Sequence, residues 1–212
     1  MPTTIAGITI PDTKLVTDAT ELVRQSADEL LFNHSRRVFL FGALQGKRKG
    51  LTPDLELLYV GALFHDLGLT KTYGTDDLRF EIDGANTAKQ FVLDHGFSDA
   101  DAMKVWTGIA LHTTPGVPEF MAPEIALVTA GVETDVLGIG YTELDQSLIS
   151  EVTAAHPRPD FKRRILKAFT DGNAHRPDTT FGNVNADVLV HFSPGFKRTD
   201  FVEIIQNSAW SE

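Results

Sequence analysis

Apolar residues recur at helical spacing along nearly the whole chain. Over residues 18–32, Leu22, Val23, Leu30 and Leu31 interleave with Glu21, Arg24, Asp28 and Glu29. That pattern predicts an amphipathic helix with Thr17 or Asp18 as its N-cap. A second helix is predicted over residues 34–44, with Gly42 and Gly46 weakening its end. Thr52-Pro53-Asp54 opens a third, with threonine as cap and proline at the first helical position, where its fixed φ is suited. Leu55, Leu58, Tyr59, Ala62 and Leu63 line one face of it, and Gly68 ends the segment. His65 and Asp66 therefore fall on its C-terminal turn.

Residues 70–82 read as a loop, and helices follow over 83–95, 98–112, 123–136, 142–155 and 161–169. Ser98 caps the second of these, with Asp99 and Asp101 in its first turn, where negative charge is favourable. Thr142 and Asp145 stand in capping-box-like spacing. Residues 176–185 read as a loop, 187–192 fit either helix or strand, and 199–206 read as helical. No repeat and no hairpin signal stands out. The expectation is an all-α bundle, with residues 16–212 as one domain behind an N-terminal extension, 1–15.

Composition narrows what such a bundle does. The chain has 212 residues, 42% of them hydrophobic and 23% charged, with a net charge of -10. An acidic chain without a long basic block is a poor partner for nucleic acid or an anionic membrane. Lys47-Arg48-Lys49, between Gly46 and Gly50, is a tight basic cluster and reads as a solvated loop. No apolar run is long enough to span a bilayer. Residues 1–11 lack a basic region followed by an apolar core, so a cytoplasmic protein acting on a small molecule is expected, a homo-oligomer remaining compatible. There are no cysteines, so any metal must be held by His, Asp, Glu and water.

His65-Asp66 is the pair that demands an explanation. Burying a carboxylate unpaired is costly, and a divalent cation is one of the few partners that reverses the cost. His34 begins the second predicted helix, His112 ends the fifth and Asp135 ends the sixth. Packed helices bring such ends together around one cavity. A sphere of His and Asp suits Zn²⁺, Fe²⁺, Mn²⁺ or Ni²⁺, and positions left to water or substrate make it catalytic. Each residue also has a plainer reading: His34 as a cap, Asp135 as a helix-terminal aspartate, His112 as a satisfied histidine in a turn.

The order His34, His65-Asp66, Asp135 resembles the HD-domain metal-dependent hydrolases, an all-α fold with a central metal site. Five blocks carry a narrower resemblance, to the cyanamide hydratase branch: His34-Ser35-Arg36-Arg37-Val38, Leu63-Phe64-His65-Asp66-Leu67-Gly68-Leu69-Thr70, Arg79-Phe80-Glu81-Ile82-Asp83-Gly84-Ala85-Asn86, His112-Thr113 and Gly131-Val132-Glu133-Thr134-Asp135-Val136-Leu137-Gly138. The similarity spans roughly residues 30–170. It implies His34, His65, Asp66 and Asp135 as metal ligands, with zinc the first expectation. Asp66 and His112 would be the catalytic pair, His112 having a pKa near the working range. Thr70, Arg79, Glu81, Asp83, Asn86 and Thr113 would line the pocket or orient the ligands. Two-metal relatives carry a histidine where this chain has Asp83, which points to one ion, a second on Asp83 and His112 being the alternative.

The implied reaction is addition of metal-activated water to a small nitrile-like substrate such as cyanamide, giving urea. Two rivals stand beside it. A phosphohydrolase acting on nucleotides or other phosphate esters would need basic groups over the metal, for which Arg36, Arg37 and Arg79 are the candidates. A non-catalytic metal-binding domain is the other.

Overall fold

In the computed structural model, which describes residues 3–210, the expected all-α architecture is present. A short antiparallel hairpin precedes the helices: β1 (Thr4–Ile5) pairs with β2 (Ile8–Thr9), Thr4 opposite Thr9. The sequence reading contained no hairpin. The turn is made by Ala6 and Gly7, both at positive φ, and a two-residue turn with φ > 0 at both positions matches the twist of paired strands. Ala6, Ile8 and Ile10 are buried in the main core.

Helix α1 (Lys14–Ser26) starts earlier than the pattern suggested, because Thr13 Oγ1 accepts the Val16 N–H. The chain breaks at Ala27, and Asp28 caps α2 (Glu29–Lys49) by accepting from Leu31 N at 2.9 Å. The break carries neither Gly nor Pro, so the apolar period runs across it unnoticed. Gly42 and Gly46 lie inside α2 and do not end it. A Cβ at Gly42 would stand 2.5 Å from the Leu127 carbonyl oxygen, and one at Gly131 would stand 2.2 Å from the Val38 carbonyl oxygen. These glycines let α2 and α6 (Pro123–Val132) cross backbone to backbone. Lys47, Arg48 and Lys49 form the last turn of α2, where cations complement the helix dipole, rather than a loop.

Helix α3 (Leu55–Phe64) is capped by Asp54, not Thr52, through the amides of Glu56 and Leu57. It is buried from Leu57 to Phe64 and forms the centre of the bundle with α2, α5 (Asp99–Leu111) and α6. Helix α4 (Phe80–Asp94) packs along α5. Beyond α6 the helix widens into a π turn, Glu133–Leu137, closed by Gly138 at φ 73°. Thr142 sits in a 3-10 turn, and Asp145 caps α7 (Gln146–Ala155). Helix α8 (Phe161–Asn173) runs four residues past its expected end. Its Phe161 and Ile165 pack on Leu30 and Leu31 of α2 as a second, smaller core. Helices α9 (Asn185–Phe192) and α10 (Phe201–Gln206) follow. No helix of the described residues is long and apolar enough to cross a membrane.

Candidate metal centre

Two helix ends and one helix interior converge on a buried cluster. His34 projects from the second turn of α2. His65 is the residue after α3, Asp66 follows it, and His112 is the residue after α5. All four are buried. One ligand atom each from His34, His65 and Asp66 lies within 4.8 Å of the others, a spacing that can hold a metal ion.

The hydrogen bonds fix the tautomers. His65 Nδ1 is 2.7 Å from the Ala62 carbonyl, and His112 Nδ1 is 2.6 Å from the Ile109 carbonyl. His34 Nδ1 is 2.7 Å from Asp135 Oδ2. Carbonyls and carboxylates only accept, so each Nδ1 carries a proton, and each ring, when neutral, turns its Nε2 lone pair inward. His34 Nε2 and His65 Nε2 face each other at 3.1 Å. Asp66 Oδ2 lies 3.2 Å from His65 Nε2, and Asp66 Oδ1 lies 3.8 Å from His112 Nε2. Among the described residues, neither Asp66 oxygen, nor His112 Nε2, has a hydrogen-bond partner. Lone pairs and a carboxylate gathered in a dry pocket require positive charge, supplied by a cation or by protons. The titration behaviour expresses the same demand. Burial opposes ionisation of both His65 and Asp66, yet their mutual attraction wins, raising His65 and holding Asp66 well below the carboxylate range. The donor set therefore fits a divalent ion.

Asp135 stands behind His34 rather than among these three. Carried on the π turn, it accepts from His34 Nδ1 and from both Arg37 Nε (2.8 Å) and Arg37 Nη2 (2.9 Å). Burial opposes its ionisation, but the His34 and Arg37 hydrogen bonds outweigh that and keep it a carboxylate. Arg37 is fully buried, donates also to the His156 and Pro157 carbonyls, and stacks over Phe161.

The remaining predicted residues divide sharply. Glu81 and Thr113 sit beside His112: Glu81 Oε1 accepts from Thr113, from Arg79 Nη2 at 3.0 Å and from Asn185 Nδ2 at 3.2 Å. Asn183 Nδ2 adds a 2.8 Å bond to Thr113 Oγ1. Thr70 instead turns its hydroxyl back to the Leu67 carbonyl, and Asn86 accepts from Trp106 on the outer side of α4. Neither lines the cavity. Asp83 forms a buried ion pair with Arg176, which also donates to the Gly68, Leu78 and Thr75 carbonyls. A guanidinium thus takes the place that a second cation beside Asp83 would need. His112 departs from expectation as well: burial, reinforced by His65, pushes it down to about 4, so it is neutral at ordinary pH.

The sequence profile of the HD domain family matches residues 31–155, well over half of the chain. The chain is an HD-domain protein. HD domains bind divalent metals and are mostly metal-dependent hydrolases, in keeping with the buried His-His-Asp cluster. No curated protein matches this chain. The family region of this HD-domain protein holds His34, His65, Asp66, His112 and Asp135. Four contributors were not picked out from sequence as parts of the site: Arg158, which pairs with Asp135, together with Arg176, Asn183 and Asn185. They lie in segments whose polar character reads as loop or surface, and only the fold shows what they pair with.

Above the cluster opens a cavity of about 460 Å³, floored by His34, His65, Asp66 and His112. Its walls come from the π turn, α8 and α9. Arg36, Arg37 and Arg79 are absent from its lining. Arg36 is spent on Tyr59 and His156, Arg37 on Asp135, and Arg79 on Glu81 and Thr113.

Proposed function

We propose that this chain is a metal-dependent hydratase or hydrolase of an uncharged small molecule, with addition of water to a nitrile-like carbon, as in cyanamide to urea, the leading reaction. The single observation carrying this is the floor of the cavity: three inward Nε2 lone pairs and a carboxylate without donors, with no arginine over them. His34, His65 and Asp66 would hold one divalent ion, zinc being the first candidate, with Fe, Mn or Ni as alternatives. Asp135 would either enter the sphere on leaving Arg37 or, as positioned, hold the His34 ring. A divalent ion bound there supplies a water acidic enough to ionise near neutral pH.

The residues then have distinct tasks. Asp66 and His112 Nε2 offer two acceptors for the two protons of an attacking water. The water oxygen bonds to the nitrile carbon while one C–N π bond breaks. One proton passes to the nitrogen, and tautomerisation yields the amide. Nothing leaves, so no group is needed to protonate a departing phosphate or alcohol. The absence of basic side chains from the floor disfavours the phosphohydrolase reading, because a phosphate dianion needs charge-assisted donors.

The test is direct. Metal content of the purified protein is measured, followed by urea formation from cyanamide and phosphate release from nucleotides. Bound metal and urea formation lost in His65→Ala support the reading. Phosphate release without urea formation overturns it, and neither metal nor activity points to a non-catalytic domain.

A further inference from the structure

We infer that the substrate of this site carries an apolar body, well beyond the size of cyanamide itself, held between the π turn, α8 and α9 while its reacting group points at the histidine floor. The inference rests on the metal-centre reading and adds to it the class of molecule accepted. Three observations carry it. First, the cavity of about 460 Å³ falls within the range of sites that enclose drug-sized ligands, whereas cyanamide has three heavy atoms. Second, its lining beyond the histidines and Asp66 is largely apolar, with Val136, Leu137, Phe161, Ile165, Phe169 and Val188 among its residues. Leu137 is 63% exposed and Leu166 37% exposed, apolar surface that a ligand body would remove from water. Third, the charged lining is Lys162 with Glu133 and Asp187, which gives no net attraction for a phosphate or another anion.

The wall also has a separate origin from the floor. Helices α8 and α9 lie beyond residue 155, outside the segment matched by the family profile. The floor lies within the matched HD segment, and much of the wall is supplied by helices after it. Phe161 is fixed from behind by the Arg37 guanidinium 4.9 Å from its ring centroid, and Ile165 by the small core with Leu30 and Leu31. The wall is therefore built onto the floor's own supports and is not a loose surface patch.

The experiment uses straight-chain hydroxamates, from acetohydroxamate to octanohydroxamate, titrated into the zinc-loaded full chain by calorimetry. The hydroxamate head tests the metal floor, and the chain tests the wall. Affinity is expected to rise about threefold to fourfold per added methylene over at least the first four, which is the gain for transferring one methylene out of water. Leu166→Asp, at a part-exposed position that folding tolerates, is expected to flatten the series, and Val188→Asp to do the same from α9. A flat series in the wild-type chain, with acetohydroxamate bound, overturns the apolar-body inference and leaves the metal floor standing. Failure of every hydroxamate to bind the zinc-loaded chain overturns the metal floor, and this inference with it. An unchanged slope in both variants shows that the chain lies elsewhere and overturns the assigned wall.

Discussion

Arg37 provides the sharpest test of how the site is held together. Its guanidinium is wholly buried and makes a two-pronged bond to Asp135, the carboxylate that in turn fixes His34 Nδ1. Replacing it by methionine keeps most of the volume but removes the charge. Asp135 is then left buried with the neutral His34 ring as a donor and the partly exposed Arg158 as its remaining cationic neighbour. Breaking one side of a buried ion pair costs about 3–5 kcal/mol, because the surviving charge has lost its partner. The His156 and Pro157 carbonyls lose their donor too, at roughly 1 kcal/mol each. Repacking of methionine against Phe161 offsets part of this, so a net loss of about 4 kcal/mol is expected.

The assay is urea denaturation in the presence of a chelator, so that metal linkage does not enter. With an m-value of about 2–3 kcal/mol/M, the midpoint should fall by roughly 1.3–2 M. A second readout follows from His34, since losing a partner that orients a metal-binding imidazole costs typically 10–100-fold in metal affinity. Arg37→Lys should not rescue, because an ammonium cannot form the fork. A midpoint shift below about 0.4 M, under roughly 1 kcal/mol, would show that Asp135 does not depend on Arg37 and would refute the reasoning.

Three further outcomes are expected. Asp66→Asn removes the carboxylate whose attraction to His65 outweighs its burial, so the metal-free protein should be less stable than the wild type at neutral pH, and the rise in melting temperature on adding zinc should disappear; a wild-type response to zinc in this variant would contradict the centre. His156 is pushed down to about 4 by burial and by Arg36, Arg37 and Arg24, so the native state binds fewer protons than the unfolded chain between about pH 6.5 and 4. Stability attributable to it is therefore full above pH 6.5 and lost as the pH falls through that window, by about 2 kcal/mol after allowing for partial solvation, and His156→Gln should flatten that part of a pH–stability curve. Arg176→Met strands Asp83 and the carbonyls of residues 68, 75 and 78, and should speed hydrogen exchange across residues 70–79 far more than in α3; uniform exchange changes would show that Arg176 does not hold that segment locally.

The helices and the floor of the site were legible in the sequence because both depend on short-range rules. His65 and Asp66 could be set at the end of α3 from apolar spacing and Gly68. His112 could be set at the end of α5 in the same way. What the chain did not disclose is pairing over long separations. Asp83 reads as a ligand candidate until Arg176, ninety-three positions away, is seen to occupy it. Asn86 belongs to a block resembling a catalytic family, yet its side chain faces Trp106 on the outside of the bundle. Gly42 reads as a helix end because the Leu127 carbonyl that requires it belongs to another helix.

The π turn joins these two levels. A regular continuation of α6 would keep Asp135 on the α-helical period, whereas the wider turn, Glu133–Leu137, sets its carboxylate against Arg37 and His34. The same five residues present Val136 and Leu137 to the cavity. One local irregularity thus braces the floor and supplies part of the wall. Straightening it would disturb the His34 ring and the apolar cavity together. A deletion of Thr134 that returned the segment to α-helical register should therefore lower zinc affinity and hydroxamate chain-length dependence in the same variant. Loss of one without the other would separate the two roles that the π turn is argued to couple.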